Sequence, residues 1–284
     1  MIFYGFDLGV DFKGGRSYVI QFDKDVKTEE VATTLEKSLN GLPQVKTYGS
    51  NNQISITTAY MIESAGTTTD SVVEAKIYEG VKPFFTNYPS LENFRAKNVK
   101  SSIKIEATIA DDIRKSSYFA VTFGILFVFL YIFVRFKRFE YAAGDIVALV
   151  HDPVIILGLF SLLRRVIPFS LEIDQTVVAA VLTLIGYSVN DTVVVFDRIR
   201  ETLGLHPTRT LIQNVNDSIN QTLSRTIMTV VTVFLVALIL FVFGGTPIRG
   251  FSFALLLGLL IGTYSSIFVA SPIMVDLMNR KKKA

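Results

Sequence analysis

The second half of the chain contains five long apolar stretches, and they restrict its fold more than any other feature. A bilayer core about 30 Å thick requires roughly 20 predominantly apolar residues in one helix. Lipid offers no hydrogen-bonding partner to the backbone, so spanning segments must be helices or strands of a closed barrel. The lengths predict five membrane-spanning helices, at 117–134, 142–163, 175–196, 226–243 and 251–274.

The first 117 residues have a different character, because more than half of the charged residues of the chain lie there. The chain is 50% hydrophobic overall, and its net charge is only +3. We therefore predict a polar domain at 1–116, a bundle of five helices at 117–279 and a basic tail at 280–284. The small net charge says little about nucleic acid, and the apolar stretches exclude a soluble basic binding protein.

The residues needed for most enzymatic sites are lacking in this sequence. Cysteine is absent, which excludes disulfides, thiolate nucleophiles and cysteine-ligated metals. Two histidines without a cluster of carboxylates give no basis for a zinc site. Phosphate-loop and serine-nucleophile motifs are also missing. The sequence therefore predicts neither an enzyme nor a protein with a metal or an organic cofactor.

Basic residues are distributed unevenly between the two sets of loops that join the predicted spans. One set, taken with the C-terminal tail, carries about eleven Lys and Arg residues. The opposite set carries only Arg164, Arg165 and Arg249. Because cytoplasmic loops are enriched in Lys and Arg, the C-terminus is predicted to be cytoplasmic. Five spans then place residues 1–116 outside, in a multi-pass protein of the cytoplasmic (inner) membrane, surrounded by its lipids.

This orientation requires a segment that carries the polar domain across the membrane. Residues 1–15 have neither the basic start nor the apolar core of a signal peptide. We therefore expect a further span before residue 1, so that the five spans would belong to a unit of six.

The polar domain alternates between segments with strand periodicity and segments with helical periodicity. Their order, βαββαβ, predicts a ferredoxin-like domain. The predicted fold class is therefore α+β, followed by a membrane α-helical bundle. The strand patterns lie at 16–22, 44–48, 53–58 and 102–108, and the helical patterns at 28–39 and 69–81.

A glycine-rich segment with the sequence GVDFKGG precedes the first predicted strand, at 9–15. Gly9, Gly14 and Gly15 permit positive φ around Asp11, which predicts a structural turn joining a helix to a strand. A cradle for an anion is the alternative. That alternative is weakened because no helix is predicted to follow the glycines.

Two ionisable residues in the third and fourth predicted spans indicate a functional site. A charged side chain at the centre of a spanning helix costs about 2.5–3.5 kcal/mol. Asp191 lies about 24 Å along its span from the outer end, at 1.5 Å per residue. Tyr187 and Asn190 form a polar stripe beside it, and Arg225 opens the next span at similar depth. We predict Asp191 and Arg225 as a proton-coupling pair; a fixed ion pair joining two helices is the alternative.

Two further motifs lie within predicted spans. His151 and Asp152 precede Pro153 near the middle of the second span, where proline removes a backbone donor. Neighbouring helical residues point about 100° apart, so His151 and Asp152 should not face one partner together. They are predicted either to support the site or only to satisfy nearby polar groups. Gly258 and Gly262 have the Gly-x-x-x-Gly spacing that favours close helix packing.

These motifs resemble those of the SecF family of bacterial protein-export membrane proteins. The most specific is the sixteen-residue segment 186–201, GYSVNDTVVVFDRIRE, which closely resembles the family signature. The other segments that resemble family motifs, in the same order along the chain, are 9–15, 148–152, 223–226, 250–252 and 262–267.

The resemblance implies a six-span subunit that pairs with SecD, separate or fused, and acts beside the Sec channel and its motor ATPase. It also implies similarity to half of a resistance-nodulation-division transporter, with protons as the coupling ion for late export of unfolded polypeptides. Asp191 and Arg225 would be the functional acid and base, and the outer domain would move. The alternatives are half of a proton-driven exporter of small molecules or lipids, and a scaffold that transports nothing.

Overall fold

The structure is a computed structural model that describes residues 5–39, 41, 43–62, 67–164, 166–167 and 169–283. Residues 1–4, Arg165 and Ala284, which the sequence analysis includes, lie outside the described residues. The chain divides into two compact units. The first, here called the α+β unit, runs to Ser116 and also includes Ser161–Gln175. The second, the membrane unit, comprises Ser117–Phe160 and the chain from Thr176 onward.

Four antiparallel strands form the sheet of the α+β unit. They are β1 (Gly15–Gln21), β2 (Gln44–Tyr48), β3 (Ser50–Thr58) and β4 (Val99–Ile105). The helices of this unit are α1 (Val10–Lys13), α2 (Thr28–Leu39), α3 (Thr67–Val81) and α4 (Leu91–Asn93). The strand order is β2-β3-β1-β4, with β1 paired to both β3 and β4. Together with α2 and α3, this order gives the βαββαβ arrangement of a ferredoxin-like domain, which confirms the predicted fold.

The core of the α+β unit lies between the sheet and the two longer helices. Each of those helices presents apolar side chains four residues apart, as the sequence periodicity predicts. The side chains from α2, α3, β1 and β3 that form this core are Val31, Leu35, Leu39, Val73, Ile77, Val81, Ile20, Ile54 and Ile56.

The observed strands differ from the prediction mainly at β4 and at the β2–β3 hairpin, and β1 begins and ends one residue earlier than predicted. The last strand lies three residues earlier than the predicted 102–108, because Ala107 is already the first residue of a long helix. The apolar alternation of Ile103 and Ile105 continues into that helix, so alternation alone cannot locate the end of the strand. The hairpin between β2 and β3 is also tighter than predicted, since Gly49 alone, with φ of 82°, separates the two strands.

A buried arginine ties the sheet to α3. Arg16 is only 1% exposed, although it carries a full charge. Its Nε and Nη2 atoms donate hydrogen bonds to Asp70 Oδ1, at 3.0 and 2.7 Å. Its Nη1 atom donates to the carbonyl oxygens of Tyr60 and Met61, at 3.0 and 3.2 Å. The hydrogen bonds from Arg16 hold the pKa of Asp70 below its usual value.

We expect the α+β unit to lose part of its stability in acid through Asp70. A lowered pKa in the folded state stabilises the fold above the unfolded pKa of about 3.9, and this contribution disappears as the pH falls through the folded value. Asp70→Asn should therefore destabilise the unit at pH 7, and the difference from wild type should shrink at lower pH. Hydrogen exchange of the β1 amides in the full chain measures this. Glu92→Gln, at an exposed position, is the control. A stability difference between Asp70→Asn and wild type that stays the same in acid would contradict the prediction.

The membrane unit is built from helices that are much longer than a bilayer crossing requires. Among the described residues, five helical stretches are long and apolar enough to cross a membrane, so the chain is a multi-pass membrane protein. The first four are α5 (Ala107–Phe136), α6 (Phe139–Leu163), α7 (Gln175–Leu205) and α8 (Leu211–Phe243). The fifth runs without a break through α9 (Thr246–Ser265), a π-helical segment (Ser266–Ala270) and α10 (Ser271–Lys283).

Helices α7 and α8 extend well beyond the predicted spans, because polar helix-forming residues continue both helices outside the apolar windows. Thr210 marks the start of α8 through a capping box, in which its side chain and that of Gln213 satisfy each other's backbone N–H groups. The hydropathy pattern therefore locates the membrane-crossing part, whereas the capping residues locate the end of the helix.

Close contacts fix α6 within the membrane unit. Phe136, Tyr141 and Phe196 form an aromatic cluster, with ring centroids 4.9 to 5.9 Å apart. A Cβ atom at Gly144 would lie 2.6 Å from the backbone oxygen of Ala270. Since backbone cannot move aside as a side chain does, only glycine permits this approach of α6 to the π-helical segment.

Candidate functional site

Asp191 lies on α7 with its side chain directed into the membrane unit. It is 3% exposed, and its Oδ2 atom is buried without a hydrogen-bond partner among the described residues. Asn190, the preceding residue, is exposed, and Tyr187 is partly exposed one turn earlier. The helical period therefore separates the buried carboxyl of Asp191 from an exposed polar stripe on the same helix.

Arg225 on α8 is exposed and lines a cavity of about 500 Å³, together with Asp197 and Arg198 of α7. Its charge reaches the Asp191 carboxylate electrostatically. No ion pair within 4.0 Å joins Asp191 to Arg225 in the described part of the chain. The charge of Arg225 therefore acts on the Asp191 carboxylate, but the two side chains do not form the direct hydrogen bonds of a fixed ion pair.

A second contact shows that the polar stripes of α7 and α8 face each other. The Tyr187 hydroxyl lies against Thr229, one turn beyond Arg225 on α8. Thr229 itself donates to the backbone oxygens of Arg225 and Thr226, at 3.1 and 2.8 Å. The polar side chains that the sequence places on separate spans thus meet along one helix–helix interface.

Asp152 on α6 is the centre of a buried hydrogen-bond network. Its Oδ2 atom accepts hydrogen bonds from Ser188 Oγ of α7 and Ser265 Oγ of α9, both at 2.9 Å. His151 Nδ1 lies 3.1 Å from the other carboxyl oxygen, Oδ1. Three helices are therefore connected through one carboxylate. The contact with His151 departs from the simple expectation that neighbouring helical side chains diverge, because a long imidazole can turn back along the helix to reach its neighbour.

The two glycines of α9 lie against α7. A Cβ atom at Gly258 would come within 2.1 Å of Leu184 Cδ1, so Leu184 fills the space above that glycine. A Cβ atom at Gly262 would lie 3.4 Å from Ser188 Oγ and 3.6 Å from Asp152 Oδ2. The space beside Gly262 therefore borders the hydrogen-bond network of Asp152, whereas the space above Gly258 is filled by Leu184.

The glycine-rich segment belongs to the α+β unit and forms one helical turn followed by two glycines. Gly14 and Gly15 have positive φ of 71° and 135°. The Gly9 N–H donates to the Ile173 oxygen at 2.9 Å. Asp11 Oδ2 accepts a hydrogen bond from the N–H of Gln175, at 3.0 Å. These contacts satisfy backbone groups within the unit and leave the segment a structural turn.

An ion-pair cluster strengthens the same region. Lys46 of β2 contacts the carboxylates of both Asp7 and Glu172. The Ile173 N–H donates to the backbone carbonyl oxygen of Asp7, at 2.7 Å. Burial opposes ionisation of Asp7, but the contact with Lys46 outweighs it and lowers the pKa of Asp7 below its usual value. The segment Ser161–Gln175 is thus bound to residues near the start of the described chain.

The sequence was compared with protein-family models. Residues 88–280 match the C-terminal model of the SecD/SecF protein export membrane proteins, and residues 1–26 match the SecD/SecF GG motif. The chain belongs to the SecD/SecF family. The GG-motif match covers the glycine-rich turn described above, and the larger match covers all five long helices.

Individual proteins of the SecD/SecF family match nearly the whole length of this chain. Protein translocase subunit SecF of Rhodothermus marinus is 43% identical over 276 residues, which cover 97% of this chain and 85% of that protein. The SecF subunit of Petrotoga mobilis is 35% identical over 286 residues, covering 98% and 88%. The crystal structure of SecDF, a translocon-associated membrane protein from Thermus thermophilus, matches with a TM-score of 0.80 and 30% identity. It covers 97% of this chain, which spans 35% of that longer chain.

One buried acid of this SecD/SecF chain is not identified by the motif analysis. Asp145 on α6 is 0% exposed, and neither of its carboxyl oxygens has a hydrogen-bond partner among the described residues. Asp145 and Asp152 are seven residues apart, close to two helical turns, so both lie on the same face of α6. This spacing of two acids inside an apolar span is the signal that could have found Asp145.

Proposed function

We propose that this chain is the SecF subunit of a proton-driven accessory to the Sec translocase. Asp191 carries the proton, Arg225 is its partner, and the proton is the coupling ion, without a further cofactor. The subunit acts with SecD, separate or fused, next to the Sec channel and its motor ATPase, on unfolded exported polypeptide. It lies in the cytoplasmic membrane, with the α+β unit outside and the C-terminus in the cytoplasm.

The observation that carries this proposal is the unsatisfied carboxyl of Asp191 within reach of the charge of Arg225. A buried ionised carboxyl is costly unless a partner compensates it. Arg225 supplies attraction without direct hydrogen bonds, so protonation of Asp191 breaks no fixed network. Such a carboxyl can alternate between a charged form attracted to Arg225 and a neutral form that is not, as a proton carrier must.

Exposed polar side chains on the membrane helices support a protein partner in the membrane. Thr183, Asn190 and Arg225 are exposed on α7 and α8, within or beside segments of strongly apolar composition. Polar residues in membrane spans normally face protein or water rather than lipid. A second subunit that covers this face fits the observation, and the structural relative is SecDF.

The mechanism follows from the change of charge at Asp191. Each proton that crosses the membrane releases about 2.3 kcal/mol per 100 mV. Protonation from the outer side neutralises Asp191 and ends its attraction to Arg225. The stripes of α7 and α8 then shift, and the α+β unit moves with them while it handles the emerging polypeptide. Release of the proton to the cytoplasm restores the starting arrangement.

The test is export by the complete complex in proteoliposomes, with the Sec channel, its ATPase and SecD present. An imposed proton gradient should stimulate completion of export after the ATP-driven steps, and collapsing the gradient with an ionophore should remove the stimulation. Vesicles that lack this chain are the control and should show no gradient-dependent part. Equal stimulation with and without a gradient would instead assign the chain to a scaffold that transports nothing.

A further inference from the structure

The buried carboxyl of Asp145 has no part in the mechanism described so far. Its carboxyl group is buried on α6 and faces the Thr192 hydroxyl of α7. Asp152, two turns away, is the titratable residue whose charge reaches it among those the structure describes. No cation of the described chain pairs with Asp145 within 4.0 Å. Among the described residues, the Thr192 hydroxyl is therefore the one side-chain group that could support a negative charge on Asp145.

Asp145 differs from Asp152 in the number of hydrogen-bond donors that reach its carboxyl group. The Asp152 carboxyl receives hydroxyl donors from two helices and lies beside an imidazole. Donors that point at a carboxyl favour its ionised form, whereas burial without donors favours the neutral acid. Two acids on one face of α6 thus differ in the number of hydrogen-bond donors around them.

The Thr192 hydroxyl oxygen can accept a hydrogen bond from the carboxyl proton of a neutral Asp145. The Thr192 hydroxyl faces Asp145, but its single proton is already donated to the backbone oxygen of Ser188, at 3.1 Å. A hydroxyl oxygen retains lone pairs when its proton is used. A protonated Asp145 can donate to those lone pairs, whereas an ionised Asp145 could receive the Thr192 hydroxyl only if Thr192 gave up its bond to the Ser188 oxygen.

We propose that Asp145 holds a proton in this arrangement of the helices and is a second proton-carrying carboxyl of the chain, beside Asp191. The carrying role rests on the proton-driven function proposed above; the protonated state does not. Thr192 follows Asp191 directly on α7, so its hydroxyl connects the Asp145 carboxyl to the helix that bears the first carrier. Asp145 also lies about 9 Å from the start of α6, at 1.5 Å per residue, nearer that end than Asp152. It is therefore placed to exchange its proton between Asp191 and the cytoplasmic side.

Infrared spectroscopy of the full chain in lipid nanodiscs tests the protonated state. At pH 7, wild type minus Asp145→Asn should show the carbonyl stretch of one protonated carboxyl, with the shift expected in D₂O. Asp276→Asn is the matched control, because Asp276 is exposed and paired with Arg280, and it should remove an ionised carboxylate signal instead. The difference for Asp191→Asn shows whether that residue contributes to the same band. An unchanged protonated band in Asp145→Asn, or loss of an ionised one, would overturn the proposal.

Asparagine reproduces the shape of the neutral acid and can donate to Thr192, so Asp145→Asn should fold with an unchanged thermal unfolding midpoint. A variant that fails to fold would show that the negative charge is needed, and would overturn the proposal. Asp145→Leu keeps the site neutral without the donor and should fold with a lower midpoint.

Proton flux through the complex with SecD tests the carrying role. Asp145→Asn should reduce flux about 100-fold, the lower end of what a positioned proton donor contributes, and should change its pH profile. Flux equal to wild type would remove the carrying role. If the wild-type complex itself conducts no protons, the proposed function fails, while the infrared band still decides whether Asp145 holds a proton.

Discussion

Replacing Asp191 by asparagine is expected to reduce proton flux through the assembled complex about 100-fold, the scale of a lost proton-transfer residue. Asparagine has the size of aspartic acid but cannot bind or release a proton. It mimics the neutral form permanently, so Arg225 is never attracted and the stripes of α7 and α8 do not alternate. Gradient-dependent export should be lost with the flux, and both are measured in the same proteoliposomes with a pH-sensitive dye and a protease-protected client.

A matched control is Asp217→Asn on α8, an exposed carboxylate paired with Arg209 at 3.0 Å. It removes one acid from a neighbouring helix and should leave flux and export unchanged. Loss of flux with export intact would separate the two processes and make Asp191 and Arg225 structural. Flux that survives in Asp191→Asn would remove Asp191 from the proton path altogether.

The second large effect is expected in the α+β unit, where Arg16→Ala should cost about 1–3 kcal/mol of stability, the range for leaving buried acceptors without their donor. The change leaves the carbonyl oxygens of Tyr60 and Met61 without that donor and removes a buried side chain beside α3, whereas Asp70, the charged partner, is half exposed. Hydrogen exchange of the β1 amides in the full chain reports this loss directly. The membrane unit should retain its helical signal.

Arg95→Ala provides the comparison for Arg16. Arg95 pairs with Glu74 at 2.9 Å in the same unit, but it is 38% exposed. Exposed pairs contribute about 0–1 kcal/mol, so exchange rates should barely change. Equal losses of stability in the two variants would show that burial does not determine how much Arg16 stabilises the α+β unit.

The fold of the α+β unit follows from sequence wherever one periodicity dominates. Helix α2 begins and ends at the predicted residues, because its apolar residues repeat every four positions and Thr28 can open the helix. The end of β4 could not be predicted, since alternation runs through the strand into α5. Burial of Arg16 was also unpredictable from its pattern, because charged residues in strands usually face solvent.

The sequence locates the candidate residues along the spans but does not give their contacts. Asp191 and Asp152 lie inside predicted spans and Arg225 directly precedes one, whereas Asp145 lies inside a predicted span and was still missed. The hydroxyls of Ser188 and Ser265 reach Asp152 only because α7 and α9 have particular rotations about their axes. Those rotations depend on packing at glycines such as Gly144 and Gly258, and helix packing is a property of several segments together rather than of any one of them.

The π-helical turn at Ser266–Ala270 determines where the last helix tolerates a change in length. A π turn accommodates one extra residue without breaking the helix, and here Ser271 Oγ returns to the oxygen of Ser266, five positions earlier, at 3.0 Å. Deleting one residue there would restore a regular α-helix and leave the following residues facing as before, because the π turn had absorbed the extra residue. Met274, which packs at Gly144, would then keep its place, whereas a deletion in the regular helix between this turn and Met274 would rotate Met274 by about 100°. The π turn is therefore a position where loss of one residue should be less disruptive than the same loss in the regular helix on either side.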